Sequence, residues 1–286
     1  IDPTLADWIA DQATFPATMV DRITPATTDD DIALVVRVTG YHDAAPVMHE
    51  PFSQWAIEDN FIGGARPDWA AAGAEMVVDV TLHENMKLRM LNGTHSALAY
   101  LGYLGGYETI SAVIEDAVYA GFVSQLWAKE IAPCVRAPQG VSLDAYASAL
   151  ADRYANPAIK HRTWQIAMDG SQKLPQRILG TLAYNMAHNI PSPRLCLTIA
   201  AWIRYVSGTD EVGQPIDVRD PMTERLRDVT AAGLTPSAKA AAVLEMTEIF
   251  PAELAAQIAP MVISATEQIW KSGARGAIVE LAGNQL

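Results

Sequence analysis

Apolar and polar positions change period along the 286 residues of the chain. Two runs near the N-terminus read as strands. Ala33 to Thr39 is β-branched and apolar around Arg37, and Met76 to Leu82 alternates around Asp79 and Thr81. Between them lies a loop-rich stretch with Pro46, Pro51, Gly63, Gly64 and Pro67. Pro3 to Ala10, and everything after about Leu82, has helical periodicity.

Capping chemistry marks the helix ends. Asn156 before Pro157, Asp220 before Pro221 and Thr235 before Pro236 each put a side-chain acceptor ahead of a ring whose φ is preset for the first helical turn, so three helices are expected to start there. Gly170, Gly208 and Gly233 stand where helices would close on a left-handed residue. These signals predict about nine helices joined by polar connections such as Ser207 to Pro215. The pattern describes a mostly α fold with a small mixed α/β part at the N-terminal end.

Composition narrows the partners. With 33 acidic and 20 basic side chains the net charge is −13, and the pI is near 4.8. Such a chain repels phosphate backbones and anionic lipid, so neither nucleic acid nor membrane is expected as a partner, and an anionic ligand must meet a local positive cluster. Cys134 and Cys196 stand alone in apolar surroundings and read as reduced thiols of a cytoplasmic protein. The best apolar run, Leu195 to Ile203, is half of the roughly 18 residues that span a bilayer. The chain opens on Ile1 without a basic, apolar leader and reads as a piece of something longer.

Reactive side chains concentrate in HENMKLRMLNGTH, His83 to His95. A zinc-protease motif fails there, because Lys87 occupies the place of the second histidine, and no metal is expected. The sequon at Asn92 means little without a secretory signal. On a helix turning about 100° per residue, Asn92 lies about 140° and His95 about 80° round from Lys87, so all three can face one broad cleft, with Glu84 one turn behind. A lysine in a partly desolvated site can titrate near roughly 7 to 8 and both give and take a proton. An asparagine amide suits a developing alkoxide, and an imidazole can hold a neighbouring hydroxyl. Spacing alone favours a solvated helix face and leaves the cleft open as the alternative.

A second concentration, Asn156 to Arg177, places Lys160, His161 and Arg162 on a helix expected to run from Pro157 to Asp169, with Lys173 and Arg177 following. It is a positive cluster in an acidic protein. It reads either as a basic helix end or as an anion site in which Lys173 and one arginine hold a carboxylate. Gly102, Gly105 and Gly106 read as close helix packing rather than a phosphate loop, and Trp55, Trp69, Trp127, Trp164 and Trp202 as core anchors.

Four strings, TFPATMVDRITP (Thr14 to Pro25), EPFSQWAIEDNF (Glu50 to Phe61), KLRMLNGTHSALAYLG (Lys87 to Gly102) and HRTWQIAMDGSQKLPQR (His161 to Arg177), together resemble the long-chain polyol dehydrogenase family. The fourth is most similar to its fructuronate reductase, or D-mannonate oxidoreductase, branch. The resemblance implies a zinc-independent, NAD-dependent oxidoreductase with an N-terminal Rossmann domain and a helical C-terminal substrate domain like that of 6-phosphogluconate dehydrogenase. Because no glycine-rich dinucleotide fingerprint occurs, the Rossmann domain is expected to be absent. Residues 1–82 then read as a linking segment, 83–286 as the helical catalytic domain, and NAD as bound mainly by a domain outside the chain. The chain alone is expected to be inactive.

By the same resemblance Lys87 is the general acid/base, with Asn92 and His95 completing the catalytic signature. Glu84 falls on a proton relay, Val20 and Asp21 fall beside the nicotinamide, and Asp21 also meets substrate. Lys173 falls on a second substrate lysine. Gln165 replaces an arginine of the mannitol branch, which turns attention to Arg162 or Arg177 as carboxylate ligand. The implied reaction interconverts D-fructuronate and D-mannonate, with a hexuronate or polyol as partner together with the protein's own Rossmann domain. The alternatives are a polyol 2-dehydrogenase acting on mannitol or arabinitol, and a helical interaction module without catalysis.

Overall fold

The computed structural model describes residues 2–231 and 233–283. The chain divides into two compact units, Ile1–Lys87 with Arg136–Gly140, and Leu88–Val135 with Val141–Leu286.

The first unit is built on a three-stranded sheet ordered β1 (Thr18–Asp21), β2 (Gln54–Glu58), β3 (Glu75–Val77). β1 runs antiparallel to β2, with Asp21 opposite Gln54, and β3 runs parallel to β2. Met19, Ala56 and Val80 form its small core, with Ala17 and Val77 packed against them. Helix α1 (Pro3–Gln12) starts where expected, Asp2 accepting from Thr4 N–H.

Ala33 to Thr39 is not a strand. It is the second half of α2 (Asp29–Thr39). Thr28 and Asp31 close a capping box, three aspartates fill the first turn, and Gly40 ends the helix at φ 76°. Caps and dipole outweigh the weak strand preference of β-branched side chains. The second expected strand stops at Val77, because Asp79 accepts the Thr81 N–H and turns the chain into α3 (Thr81–Met86).

The second unit is helical. Its helices are α4 (Thr94–Leu104), α5 (Ile110–Glu115), α6 (Ala117–Leu126), α7 (Leu143–Tyr154), α8 (Thr163–Ala167), α9 (Gly170–Leu174), α10 (Gly180–Ala187), α11 (Pro193–Val206), α12 (Thr223–Val229), α13 (Pro236–Leu244) and α14 (Ala252–Gly283). The apolar run Leu195 to Ile203 is the middle of α11, which is buried along nearly its whole length and packs against α4 and α14. Its N-terminus is held by Glu130, fully buried, whose carboxylate accepts the backbone N–H groups of Arg194 and Leu195 at 2.9 Å each and the Arg194 guanidinium at 3.2 Å. Burial still pushes the Glu130 carboxyl up to about 7.

Among the described residues there are fourteen α-helices rather than nine, because long periodic stretches break into short pieces. Lys87–Gly93, Trp127–Ile131 and Pro175–Leu179 are wound as π-helix. No helix expected from Pro157 to Asp169 forms. Asn156 caps only a 3-10 turn, Pro157–Ile159, after which Lys160 is left-handed at φ 45° and α8 begins at Thr163. Asp220 also caps no helix at Pro221. Its carboxylate accepts Met222 N–H at 2.9 Å, which caps only a turn, and also Ser171 N–H at 2.8 Å and Ser171 Oγ–H at 2.5 Å. Thr235 does cap α13, accepting Ala238 N–H, and Gly208 and Gly233 are left-handed. Among the described residues no helix is long and apolar enough to cross a membrane.

Gly170 opens α9 rather than closing a helix. A Cβ there would stand 2.3 Å from Trp202 Nε1 and 2.6 Å from the Tyr100 hydroxyl, so α9 sits against α4 and α11 only because this residue has no side chain. Gly170→Ala should cost about 1–3 kcal/mol by overpacking. Urea unfolding checks this, and an unchanged midpoint would mean that the contact yields freely.

Candidate active site

Lys87 follows α3 as the first residue of the π-wound turn, and its Nζ donates to the backbone carbonyl of Val20 on β1. The first unit thereby joins the lysine singled out in HENMKLRMLNGTH to the strand carrying Val20 and Asp21. Asp21 is buried, Val20 is half exposed, and Glu84 is exposed on α3. Asn92 stands five residues after Lys87 in a turn wound with i→i+5 bonds, where five residues do what four do in an α-helix. The 100° spacing rule therefore does not describe this stretch.

The second unit gathers the remaining candidates. His95, in the first turn of α4, is buried between Tyr154 at the end of α7 (ring centroids 4.7 Å apart) and His161 (5.2 Å, edge to face). Neither His95 Nε2 nor His161 Nδ1, both buried, has a hydrogen-bond partner. His161 is fixed through its backbone, its carbonyl accepting Ile110 N–H at 2.9 Å. Arg177, in the π-wound turn after α9, donates to Ser96 Oγ at 3.3 Å, one residue beyond His95. Lys173, on α9, donates to the Met168 carbonyl at 2.6 Å and lies 3.7 Å from the Asp169 carboxylate. Asp169 itself is left-handed at φ 57°, a strained setting for a residue with a Cβ.

Electrostatics follow from burial. Desolvation, then His161, Arg177 and Arg153, hold His95 well below the ordinary histidine range. Desolvation, then Lys173 and Arg177, bring His161 down to about 4. Lys173 is lowered by burial and then by Arg177, and Arg177 by burial. At neutral pH the cluster thus holds two neutral imidazoles beside two basic groups.

Arg162 is not drawn into this cluster. It is about half exposed, pairs with Glu108 at 3.7 Å, and forms a backbone bridge with Thr109. His161 and Tyr154 were not singled out from the sequence. His161 was counted only as one charge of a basic run, and nothing near Tyr154 signals that α7 returns to His95.

Residues 79–270 match the family described as "Mannitol dehydrogenase C-terminal domain", and residues 1–71 match "Mannitol dehydrogenase Rossmann domain". The chain belongs to the mannitol dehydrogenase family. It is 45% identical to the D-mannonate oxidoreductase of Escherichia coli over 98% of this chain and 58% of that protein. It is 50% identical to the uncharacterized oxidoreductase YdfI of the same organism over 89% of this chain and 52% of that protein. Its fold is similar to that of Pseudomonas fluorescens mannitol 2-dehydrogenase, solved as a ternary complex with NAD and D-mannitol, with a TM-score of 0.88, 32% identity, and coverage of 98% of this chain and 56% of that one. The chain spans about half the length of the curated relatives it matches.

Two expectations are corrected by the match at residues 1–71. The Rossmann domain is not absent, and the fold is not simply a helical domain with a small α/β appendage: α1, α2, β1 and β2 lie within a stretch that belongs to the family's Rossmann domain. The cofactor expectation falls with it, since NAD-binding domain sequence lies inside this chain rather than wholly outside it. The missing fingerprint misled because a glycine-rich turn serves one strand–helix junction of such a domain, while the other strands and helices carry no comparable signature. The inactivity expected of the chain rested on that absence and loses its ground.

The depressed histidines make a pH prediction. A group whose folded pKa lies below its unfolded value adds stability that is complete above the unfolded value and is lost as pH falls through the folded one. For His161 the window runs from 6.5 down to about 4 and is worth roughly 3 kcal/mol. Stability should fall across that window, and His161→Phe should flatten the slope. Equal slopes in urea titrations of the two proteins would contradict a neutral His161.

Proposed function

We propose that the protein acts as an NAD-dependent oxidoreductase interconverting D-fructuronate and D-mannonate, with its catalytic and substrate residues drawn from Lys87, Asn92, His95, Asp21, Lys173 and Arg177. The observation that carries this reading is the pairing of Lys173 and Arg177 beside a neutral His95 in a protein of net charge −13. Two partly desolvated basic groups call for an anion, and a sugar acid brings one where a polyol does not. The likeness to the D-mannonate oxidoreductase supports the same substrate class.

Val20 and Asp21 of the first unit would hold the hydride-bearing end of the cofactor. Among the described residues β1 is an edge strand, and its Val20 presents a half-exposed apolar side chain while its carbonyl takes the Lys87 ammonium. Such an edge suits a flat, amide-bearing ring lying beside a proton donor. NAD, when bound, would supply or accept the hydride exchanged at C5, the keto carbon of D-fructuronate and the alcohol carbon of D-mannonate. In the direction of reduction Lys87 Nζ gives its proton to the new alkoxide, and in the reverse direction it takes the proton back. Glu84, exposed one turn before it, can return the proton to water. The Asn92 amide donates to the developing oxyanion. His95, kept neutral by burial, bonds a neighbouring hydroxyl without adding charge. Asp21 accepts from another hydroxyl, while Lys173 and Arg177 neutralise the carboxylate.

Polyol 2-dehydrogenase is the competing reading, favoured by the likeness to the mannitol 2-dehydrogenase. A substrate panel separates the two. The protein should oxidise D-mannonate with a kcat/KM at least about tenfold above that for mannitol. Arg177→Ala should raise KM for D-mannonate without a matching effect on any polyol. Asn92→Ala should lower kcat about a hundredfold, and Lys87→Ala more. Near-normal turnover by Lys87→Ala would remove the lysine from the chemistry, and preference for mannitol would overturn the sugar-acid reading.

A further inference from the structure

The sequence strings that resemble known relatives assign no role to His161. Its surroundings do. The ring stands edge to face against His95, with centroids 5.2 Å apart. Its backbone is pinned twice, by the His161 carbonyl accepting Ile110 N–H at 2.9 Å and by the bridge between Arg162 and Thr109 immediately after it. Immediately before it, Lys160 is left-handed at φ 45°. A bulky L-residue is held in that conformation only where its surroundings over-determine it, and the consequence here is to turn the chain inward at His161, out of the helix that its neighbours would otherwise continue. Lys160 and Arg162 on either side are exposed, so of the three consecutive basic side chains only the imidazole is directed into the protein.

There, His161 Nδ1 is buried without a hydrogen-bond partner. A polar nitrogen removed from water and left unpaired costs free energy on the order of 1–3 kcal/mol, a cost that folded proteins accept where strain, function or a bound water, ion or ligand accounts for it. The charged groups acting on the ring are Lys173 and Arg177, both cations. They cannot accept a hydrogen bond from it. With the proton of the neutral ring on Nδ1, a ligand acceptor carrying negative charge relieves all three groups at once.

We propose that His161 is a specificity-determining residue of the substrate site, its Nδ1–H donating to a carboxylate oxygen of a sugar acid whose charge Lys173 and Arg177 balance. This rests on the sugar-acid reading of the site and extends it to a side chain outside the catalytic signature. In this arrangement the imidazole supplies direction and the two cations supply charge. A neutral donor also favours a carboxylate, which accepts strongly, over a polyol hydroxyl, which can bond as well to water.

The test uses the full-length protein with NAD and two independent readouts. Kinetically, His161→Phe keeps the ring edge on His95 and removes the donor, while His161→Asn restores an amide N–H near the position of Nδ1. The Phe variant should raise KM for D-mannonate about tenfold with kcat changed less than threefold, and leave KM for mannitol unaltered. The Asn variant should recover most of the loss. Equal KM changes for acid and polyol, or an Asn variant no better than Phe, would overturn the proposal in favour of a packing role. Spectroscopically, the 15N ring signals of His161 should move on addition of D-mannonate to a protonated-type Nδ1. Silence of those signals up to saturating D-mannonate overturns the proposal. Turnover of D-mannonate with a silent His161 would leave the proposed reaction standing and remove this residue from it, while a responding His161 without turnover would do the reverse.

Discussion

Burying basic charge beside imidazoles that stay neutral is the constraint on which the site depends. Lys173 and Arg177 are both lowered chiefly by desolvation, and the carboxylate paired with Lys173, that of Asp169, stands 3.7 Å away. Charge placed in such surroundings is costly unless compensated. The protein offsets part of that cost with backbone carbonyls, Met168 and Ile166 for Lys173, and with the Ser96 hydroxyl for Arg177. It avoids adding to it by keeping His95 and His161 unprotonated. What remains is a preference for an anion, and in the proposed function that preference separates a sugar acid from a polyol.

Local backbone departures create this arrangement. In the second unit Arg177 occupies a π-wound turn, and Lys160 and Asp169 are left-handed at the two ends of the segment that includes α8. Each departure re-aims a side chain that regular winding would send elsewhere. They are held by close packing behind the site, where Gly170 lets α9 approach Trp202 and Tyr100, and by Asp220, which fixes Ser171 at the start of the same helix. The core of the second unit is thus the reason that a strained turn keeps its shape.

The sequence marked candidate residues more readily than their geometry. Lys87, Asn92 and His95 stood out by residue type and spacing, and Lys173 and Arg177 by their charge against an acidic background. The proline-led helix start at Thr235 was legible because its signal is confined to four consecutive residues. Asn156 and Asp220 carried the same signal, yet each caps only a turn, and the Asp220 carboxylate is shared with Ser171, a tertiary partner that the local pattern does not reveal. The π-winding of Lys87–Gly93 has no counterpart in a period-3.6 pattern, and the strand reading of Ala33 to Thr39 missed the capping box at Thr28 and Asp31. The Rossmann portion was missed for a different reason: a short phosphate-binding turn has a strong signature, and a small mixed sheet with few core residues has almost none.

Burial keeps both imidazoles neutral, so that the positive charge around them comes from Lys173, Arg177 and Arg153. Titration of the 15N ring signals of His95 in the unliganded protein from pH 8 to pH 5 tests it most directly. The account predicts that His95 remains neutral over the whole range. A titration midpoint close to the ordinary histidine value of 6.5 would contradict it.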